Sequence, residues 1–304
     1  MSIKTELHCH NSFSNFHMGD GEAPYDCDVS IRDQLERAKV LGLDAIFVTN
    51  HNTLDGYHQL SEYKNNHEKF KNINVFPAEE ITTDTGAHVL VYGIHEAIEP
   101  KLALEDVIDR VKGQGGVSSA PHPFSLLNAL RSSAKKCDMI EVFNSNNVDI
   151  FSNARATQFA SDNSMIQVAG SDSHVLSTLG RCVNVIDSEN NLDDILRSMK
   201  QSKIEIAKTG YASQAETLDH LRYKINNSQE YLMEYIAKHY PNAKWFLNFL
   251  LKIYNSNQNS RLWSLFYNVA ICLMKRISKK INFQNMDPTF ANDRNLFTMF
   301  RMAL

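Results

Sequence analysis

Residues 6–10 read ELHCH, the end of an extended apolar run that begins at Ile3 and finishes on two histidines. Side chains alternate across a strand, so His8 and His10 share one face while Cys9 points away, as a small core residue does. Two imidazoles spaced in this way reach one cation or two neighbouring ones. The spacing alone is equally that of a hydrogen-bonded histidine pair. What decides the reading is that the same grammar recurs along the chain.

Further strands are expected over 44–49, 73–76, 87–94, 116–120, 139–143, 166–169, 182–186 and 203–207. Amphipathic stretches such as 31–41, 104–112 and 192–200 lie between them with helical period. This alternation predicts βα units and a mainly parallel sheet. The second run passes into Asn50 and His51, the third into Glu79 and Glu80, the fifth into His122. The sixth reaches Glu141 and Asn144, and the seventh Asp172 and His174. Both open α/β sheets and barrels carry sites at the carboxyl ends of strands. Only a ring lets so many separate strand ends converge on one small site, so a distorted barrel is the expected α/β fold. No GxxxxGK[ST] or GxGxxG motif occurs, and GQGG at 113–116 reads as a helix stop before a strand.

Composition narrows the function. The 304 residues are 43% hydrophobic and 22% charged, enough to bury a core. A net charge of −4 argues against an unaided nucleic-acid wrapper. Five cysteines without a CxxC pair argue against a disulfide framework or a zinc ribbon. MSIKTELHCH lacks the apolar core of a secretory leader, which predicts a cytoplasmic protein. The longest apolar-rich run near the end, 262–274, is too short for a transmembrane segment.

From Gly210 onward 12 Lys and Arg face 6 Asp and Glu, leaving −10 before it. A boundary is expected in KTGYAS, with a barrel over 1–210 and a mainly α-helical region over 211–304. Residues 214–281 read as about three helices, with apolar stripes through Trp245, Phe246, Phe249, Leu250 and Ile253 and through Leu262, Phe266, Val269, Leu273 and Ile277. The stripes predict a helical cap packed on the barrel. The basic run KRISKK at 275–280 makes these helices candidates for weak contact with a membrane surface or nucleic acid, although such a run is more often a solvated face.

Each histidine taken singly is an ordinary structural residue. Together, His8, His10, His51, His88, His122 and His174 with Glu80 and Asp172 would be costly to cluster unless bound or solvated, which points to a multinuclear metal site. The segments ELHCHNSFS, VTNHNTLDGY, APHP and GSDSH resemble, in that order, the four motifs of the PHP (polymerase and histidinol phosphatase) superfamily, and the spacing is nearest its stand-alone phosphoesterases. The resemblance spans about residues 1–210. It implies a distorted (β/α)7 TIM-like barrel with two or three divalent ions, commonly Mn, Zn or Fe. It carries over as ligands His8, His10, His51, Glu80, His122, Asp172 and His174, and also His88. Glu80 is preferred to Glu79 because it directly precedes Ile81 and Thr82, as in the family's E-I-S/T.

Two departures stand out. Where the family places a ligating Asp after the HS..S run, this chain has Asn15 and an insertion, so Asp20 is expected to take that role, with His17 and Asp26 as alternatives. Where the family often reads TDHDT, this chain has Asn50 and Asn52, which lowers the negative charge beside the ions.

Such a ligand set suits hydrolysis of a phosphate mono- or diester by a metal-bound hydroxide, with no covalent intermediate. Asp172 and His174 are the expected catalytic residues, and Arg181 the candidate phosphate clamp. The substrate would be a small phosphorylated metabolite, a nucleotide or an oligonucleotide end. An amidohydrolase-type C–N hydrolase and a non-catalytic metal-stabilised module are the alternatives. The former commonly uses a carboxylated lysine at a strand end, and none stands there.

Overall fold

The computed structural model describes residues 2–19 and 22–288. Nine strands form one sheet: β1 (Ser2–Cys9), β2 (Ala45–Val48), β3 (Asn74–Thr82), β4 (His88–Tyr92), β5 (Val117–Ala120), β6 (Met139–Asn144), β7 (Ile166–Gly170), β8 (Val183–Asp187) and β9 (Ile204–Lys208). Their order is β7-β6-β5-β4-β3-β2-β1-β8-β9. Helices α1 (Ile31–Leu41), α2 (Asp55–Asn65), α3 (Leu104–Gly113), α4 (Phe151–Asp162) and α5 (Leu192–Lys200) follow β1, β2, β4, β6 and β8. The helices after them are α6 (Gln214–Asn227), α7 (Gln229–His239), α8 (Lys244–Ser256) and α9 (Arg261–Phe283).

All nine expected strands are present. The sheet is mixed rather than parallel throughout: β1, β2 and β3 run parallel, as do β5, β6 and β7, while β4 is antiparallel to both its neighbours. No helix separates β3 from β4; a tight turn joins them, with Gly86 at φ +78° and Thr83 N–H donating to the Ala87 carbonyl at 2.8 Å. β3 runs on to Thr82, past the expected end at 76. Pro77 offers no N–H, but its carbonyl accepts from Gly93 N–H at 2.9 Å, which keeps the strand in the sheet.

The sheet curls until it is nearly closed. The lower half of β1 pairs with β8, and its upper end meets the chain that leaves β7. There Asp172 N–H donates to the His8 carbonyl at 2.8 Å, and His10 N–H to the Ser173 carbonyl at 3.1 Å. Closure is also written in the core. Leu7, Phe47, Ala78, Tyr92, Val117, Met139 and Val168, one from each of β1 to β7, join one apolar cluster that Ile195, Leu196 and Met199 of α5 complete. Side chains from seven strands meet in this way only inside a curled sheet.

The C-terminal region differs from expectation. The last two turns of α9 dock, burying Ile277 and Ile281. Polar bonds fix them: Ser278 Oγ donates to Asp149 Oδ1 at 2.6 Å and Asn282 Nδ2 to the Phe124 carbonyl at 3.1 Å. The stripes that predicted a packed cap are largely outside, with Trp245 74% and Phe249 54% exposed, and Phe266 and Val269 exposed as well. Amphipathic spacing states which face can be buried, not what covers it. Among the described residues, no helix is long and apolar enough to cross a membrane.

Candidate metal centre

Rows of the strands turn from apolar to charged at their carboxyl ends. On β3, Phe76, Ala78 and Glu80 share a face by the period of two; the first two lie in the core cluster, and Glu80 continues the row into the site. Glu79 faces the other way and accepts from Ile98 N–H at 3.1 Å. The choice of Glu80 over Glu79 agrees with this geometry. Met139 and Glu141 on β6 repeat the pattern.

Glu80 is the hub, buried at 1% exposure. Its Oε2 lies 3.3 Å from both His8 Nε2 and His10 Nε2 and 3.4 Å from His51 Nδ1. Its Oε1 lies 2.8 Å from His88 Nδ1 and 3.1 Å from His122 Nε2. Asp172, held at φ +49°, presents Oδ1 3.5 Å from His8 Nε2 and His10 Nε2 and 3.4 Å from His174 Nδ1. Seven of the expected ligands and His88 therefore share one buried locus.

Asp20 lies outside the described residues. The structure brings Asp26 into the cluster: its Oδ2 lies 3.0 Å from His174 Nε2 and 3.7 Å from His51 Nε2. Asn15, where the family carries its Asp, instead clamps the loop that delivers Asp26. Its Oδ1 accepts from Asp26 N–H at 2.7 Å and from Cys27 N–H at 3.0 Å. Two residues with no assigned role in the sequence complete the surroundings of Asp26. On α6, Lys224 Nζ lies 3.0 Å from Asp26 Oδ1, and His220 Nε2 donates to the Asp26 carbonyl at 2.8 Å. They lie about two hundred residues further along the chain, a distance no local pattern spans.

Partners behind the cluster orient the rings. Glu141 Oε1 holds His8 Nδ1 at 2.7 Å, and its Oε2 accepts from His122 N–H at 3.0 Å. His174 Nδ1 donates to the Asp172 carbonyl at 2.9 Å. Bonds of this kind fix which ring nitrogen faces a cation. Asn50 acts one step removed, accepting from Ser14 Oγ, which stands 3.1 Å from His10 Nδ1. Asn52 ties loops together, donating to the His17 carbonyl at 2.7 Å. Arg181 is paired elsewhere: its Nη2 meets both carboxylate oxygens of Glu216, at 2.6 and 2.7 Å. Glu216 forms a capping box with Ser213, so this pair fastens the start of α6 to the barrel.

The donor set fits divalent cations. His10 Nε2, His51 Nδ1 and Asp26 Oδ2 are buried with no hydrogen-bond partner, an expensive arrangement that bound ions would relieve. Three overlapping groups have ligand atoms close enough to hold an ion: His10, Asp26, His51 and His174; His8, His10, Glu80 and Asp172; and His51, Glu80 and His88. Two or three ions can thus be accommodated, with Glu80, His10 and His51 shared between groups. Burial pushes His51 well below the usual imidazole range, which favours the neutral form that ligates metals. Burial alone would raise the Asp26 and Glu80 carboxyls, but the surrounding cationic groups more than offset it and hold both well below the usual range.

Glu79, on the opposite face, is pushed up to about 7 by burial. The folded carboxyl keeps its proton to higher pH than the unfolded chain does, so stability is lost as pH rises through that range. Glu79→Gln removes this penalty. In urea unfolding of the metal-free protein its gain over wild type is expected to be small near about pH 5 and about 2–3 kcal/mol near about pH 8. A gain independent of pH would contradict the assignment.

The family model described as PHP-associated matches residues 151–204. An uncharacterised protein of Methanocaldococcus jannaschii is 30% identical over 145 residues, 47% of this chain and 82% of the relative. A second uncharacterised protein of that organism is 33% identical over 126 residues, 38% of this chain and 52% of the relative. Two solved structures share the fold. PsfC of Pseudomonas syringae has a TM-score of 0.51 at 18% identity, over 74% of this chain and 98% of that one. A two-domain protein of Bacteroides vulgatus, described as containing a predicted PHP-like metal-dependent phosphoesterase, has a TM-score of 0.55 at 18% identity, over 74% and 70%. A nearly closed mixed barrel with a buried imidazole–carboxylate centre defines a metal-dependent hydrolase. More particularly, residues 151–204 match the PHP-associated family, in keeping with the resemblance of the histidine motifs to the PHP superfamily.

Proposed function

We propose that the chain hydrolyses a phosphate mono- or diester, using two or three ions of Mn, Zn or Fe held by His8, His10, Asp26, His51, Glu80, His88, His122, Asp172 and His174. The observation that carries this reading is Glu80, a single buried carboxylate within 3.4 Å of five imidazoles and thus suited to bridging adjacent cations. Bound ions would supply an activated water at neutral pH and stabilise charge on a phosphoryl oxygen.

The chain's own residues set the rest. Asn144 Nδ2 donates to Asp172 Oδ2 at 3.2 Å, leaving Oδ1 turned to the cluster as an acceptor for the proton of an attacking water. His174, fixed by its bond to the Asp172 carbonyl, positions the opposite end of the centre. A cavity of about 570 Å³ opens beside His88, lined by His17, Asn52, Thr82, Lys101 and Asn128 among others. Its size, and a lining that mixes these polar groups with Phe16, Met18 and Pro100, suit the leaving group of a phosphorylated metabolite or nucleotide. Arg181, neutralised by Glu216, serves in this reading to anchor α6. The amidohydrolase alternative calls for a lysine between the ions from a strand end; the lysine at this cluster, Lys224, comes from α6.

Aryl phosphate mono- and diesters assayed beside aryl amides in Mn(II) test the proposal. Phosphoester cleavage that EDTA abolishes and Mn(II) restores is expected, with amides untouched. Cleavage of amides alone, or a phosphoesterase activity that survives chelation, would contradict it.

A further inference from the structure

The sequence divides near Gly210, yet α6 from beyond that point lies against the metal centre. Lys224 and His220 are one turn apart on the same helical face. The His220 ring stacks on His174 with centroids 4.6 Å apart, while its Nε2 holds the Asp26 carbonyl. The neighbouring Tyr223 accepts at its hydroxyl from Asn15 Nδ2 at 2.9 Å, and Asn15 in turn clamps the Asp26 backbone. The helix is thus pinned at several points to the loop that delivers a cluster carboxylate.

This pinning fixes where the Lys224 ammonium stands. It meets Asp26 at Oδ1, the oxygen turned away from the cluster, while Oδ2 faces His174 and His51 without a hydrogen bond. The ammonium therefore sits one carboxylate's width from the group formed by His10, Asp26, His51 and His174. It is not sealed in, since the side chain is 24% exposed. An ammonium has three N–H donors, and Asp26 Oδ1 takes one. Arg181, the cation that the sequence marked for phosphate, has its Nη2 held by both carboxylate oxygens of Glu216.

We propose that Lys224 is a substrate-binding residue that donates to a non-bridging phosphoryl oxygen of the phosphoester. The proposal rests on the phosphoesterase reading and deepens it: the C-terminal region completes the active site by supplying its anion-recognising cation. A phosphoryl group then lies between the ions and a fixed ammonium, and charge-assisted bonds of this kind are the strong ones.

The test uses the full chain loaded with Mn(II), as wild type, Lys224→Met and Lys224→Arg. Metal per chain is measured by elemental analysis, inorganic phosphate affinity by calorimetry, and kcat and KM on an aryl phosphate. Lys224→Met is expected to keep its Mn(II) and to weaken phosphate binding by about 10- to 100-fold, with KM rising by a similar factor and kcat changing much less. Lys224→Arg should recover most of the affinity. Should Lys224→Met fail to fold, Lys224→Gln carries the same expectation. If the variant loses Mn(II) together with phosphate, Lys224 serves Asp26 alone and the proposal is overturned. If phosphate affinity is unchanged while wild type binds phosphate and cleaves the ester, the proposal falls and the phosphoesterase reading stands. If Mn(II)-loaded wild type neither binds phosphate nor cleaves the ester, both fall together.

Discussion

Glu80→Gln is expected to empty most of the centre while leaving the chain folded. The amide matches the carboxylate in volume, but it removes the charge that two oxygens present to His8, His10 and His51 on one side and His88 and His122 on the other. It also puts an N–H₂ donor where cations should bind. Loss of an orienting group behind a ligand costs about 10- to 100-fold in metal affinity, so loss of a shared ligand should cost more, about 10³-fold. Elemental analysis after dialysis should find two or three Mn(II) per wild-type chain and at most one in the variant, with unchanged far-ultraviolet circular dichroism. Metal content equal to wild type would remove Glu80 from its central place.

Gly170→Ala should be nearly as damaging, through packing. A methyl at Gly170 would stand 1.8 Å from Glu141 Oε1 and 2.7 Å from His8 Cβ. Glu141 cannot swing aside freely, because it holds His8 Nδ1, His122 N–H and Asn144 Nδ2. His8 Cβ is close to the backbone of β1 and cannot move without the strand. Overpacking of this severity costs about 3 kcal/mol. Displacing Glu141 also frees the His8 ring, so Mn(II) affinity should fall by about 10- to 100-fold. Urea unfolding and calorimetric metal titration read the two effects separately. An alanine variant as stable as wild type would show that β1 and β7 do not approach as closely as described.

The period of two made the strands legible and put His8 and His10 on one face, whereas Glu80 stands out from Glu79 only through the E-I-S/T resemblance. It could not show that β3 and β4 form a hairpin, because the turn at 83–87 is set by one glycine and local hydrogen bonds rather than by any hydrophobic rhythm. The ligand loop after β1 has no period at all. Asp26 could be named there only as an alternative to Asp20, since the groups that engage it, His220 and Lys224, come from the far end of the chain. Arg181 looked free because its partner, Glu216, lies in another region. Glu141 was visible at a strand end, but its hold on His8 depends on the close passage of β1 and β7 at Gly170, which only the closed sheet creates. The α8 stripe was read correctly as amphipathic and wrongly as covered, because a helix's own pattern does not state what lies against it.

Anomalous diffraction from crystals grown with Mn(II) would locate the ions themselves. Two or three peaks are expected inside the barrel, each beside one of the three overlapping ligand groups and at least one touching Glu80. Absence of density there, with Mn(II) found only on surface carboxylates, would contradict a metal centre around Glu80.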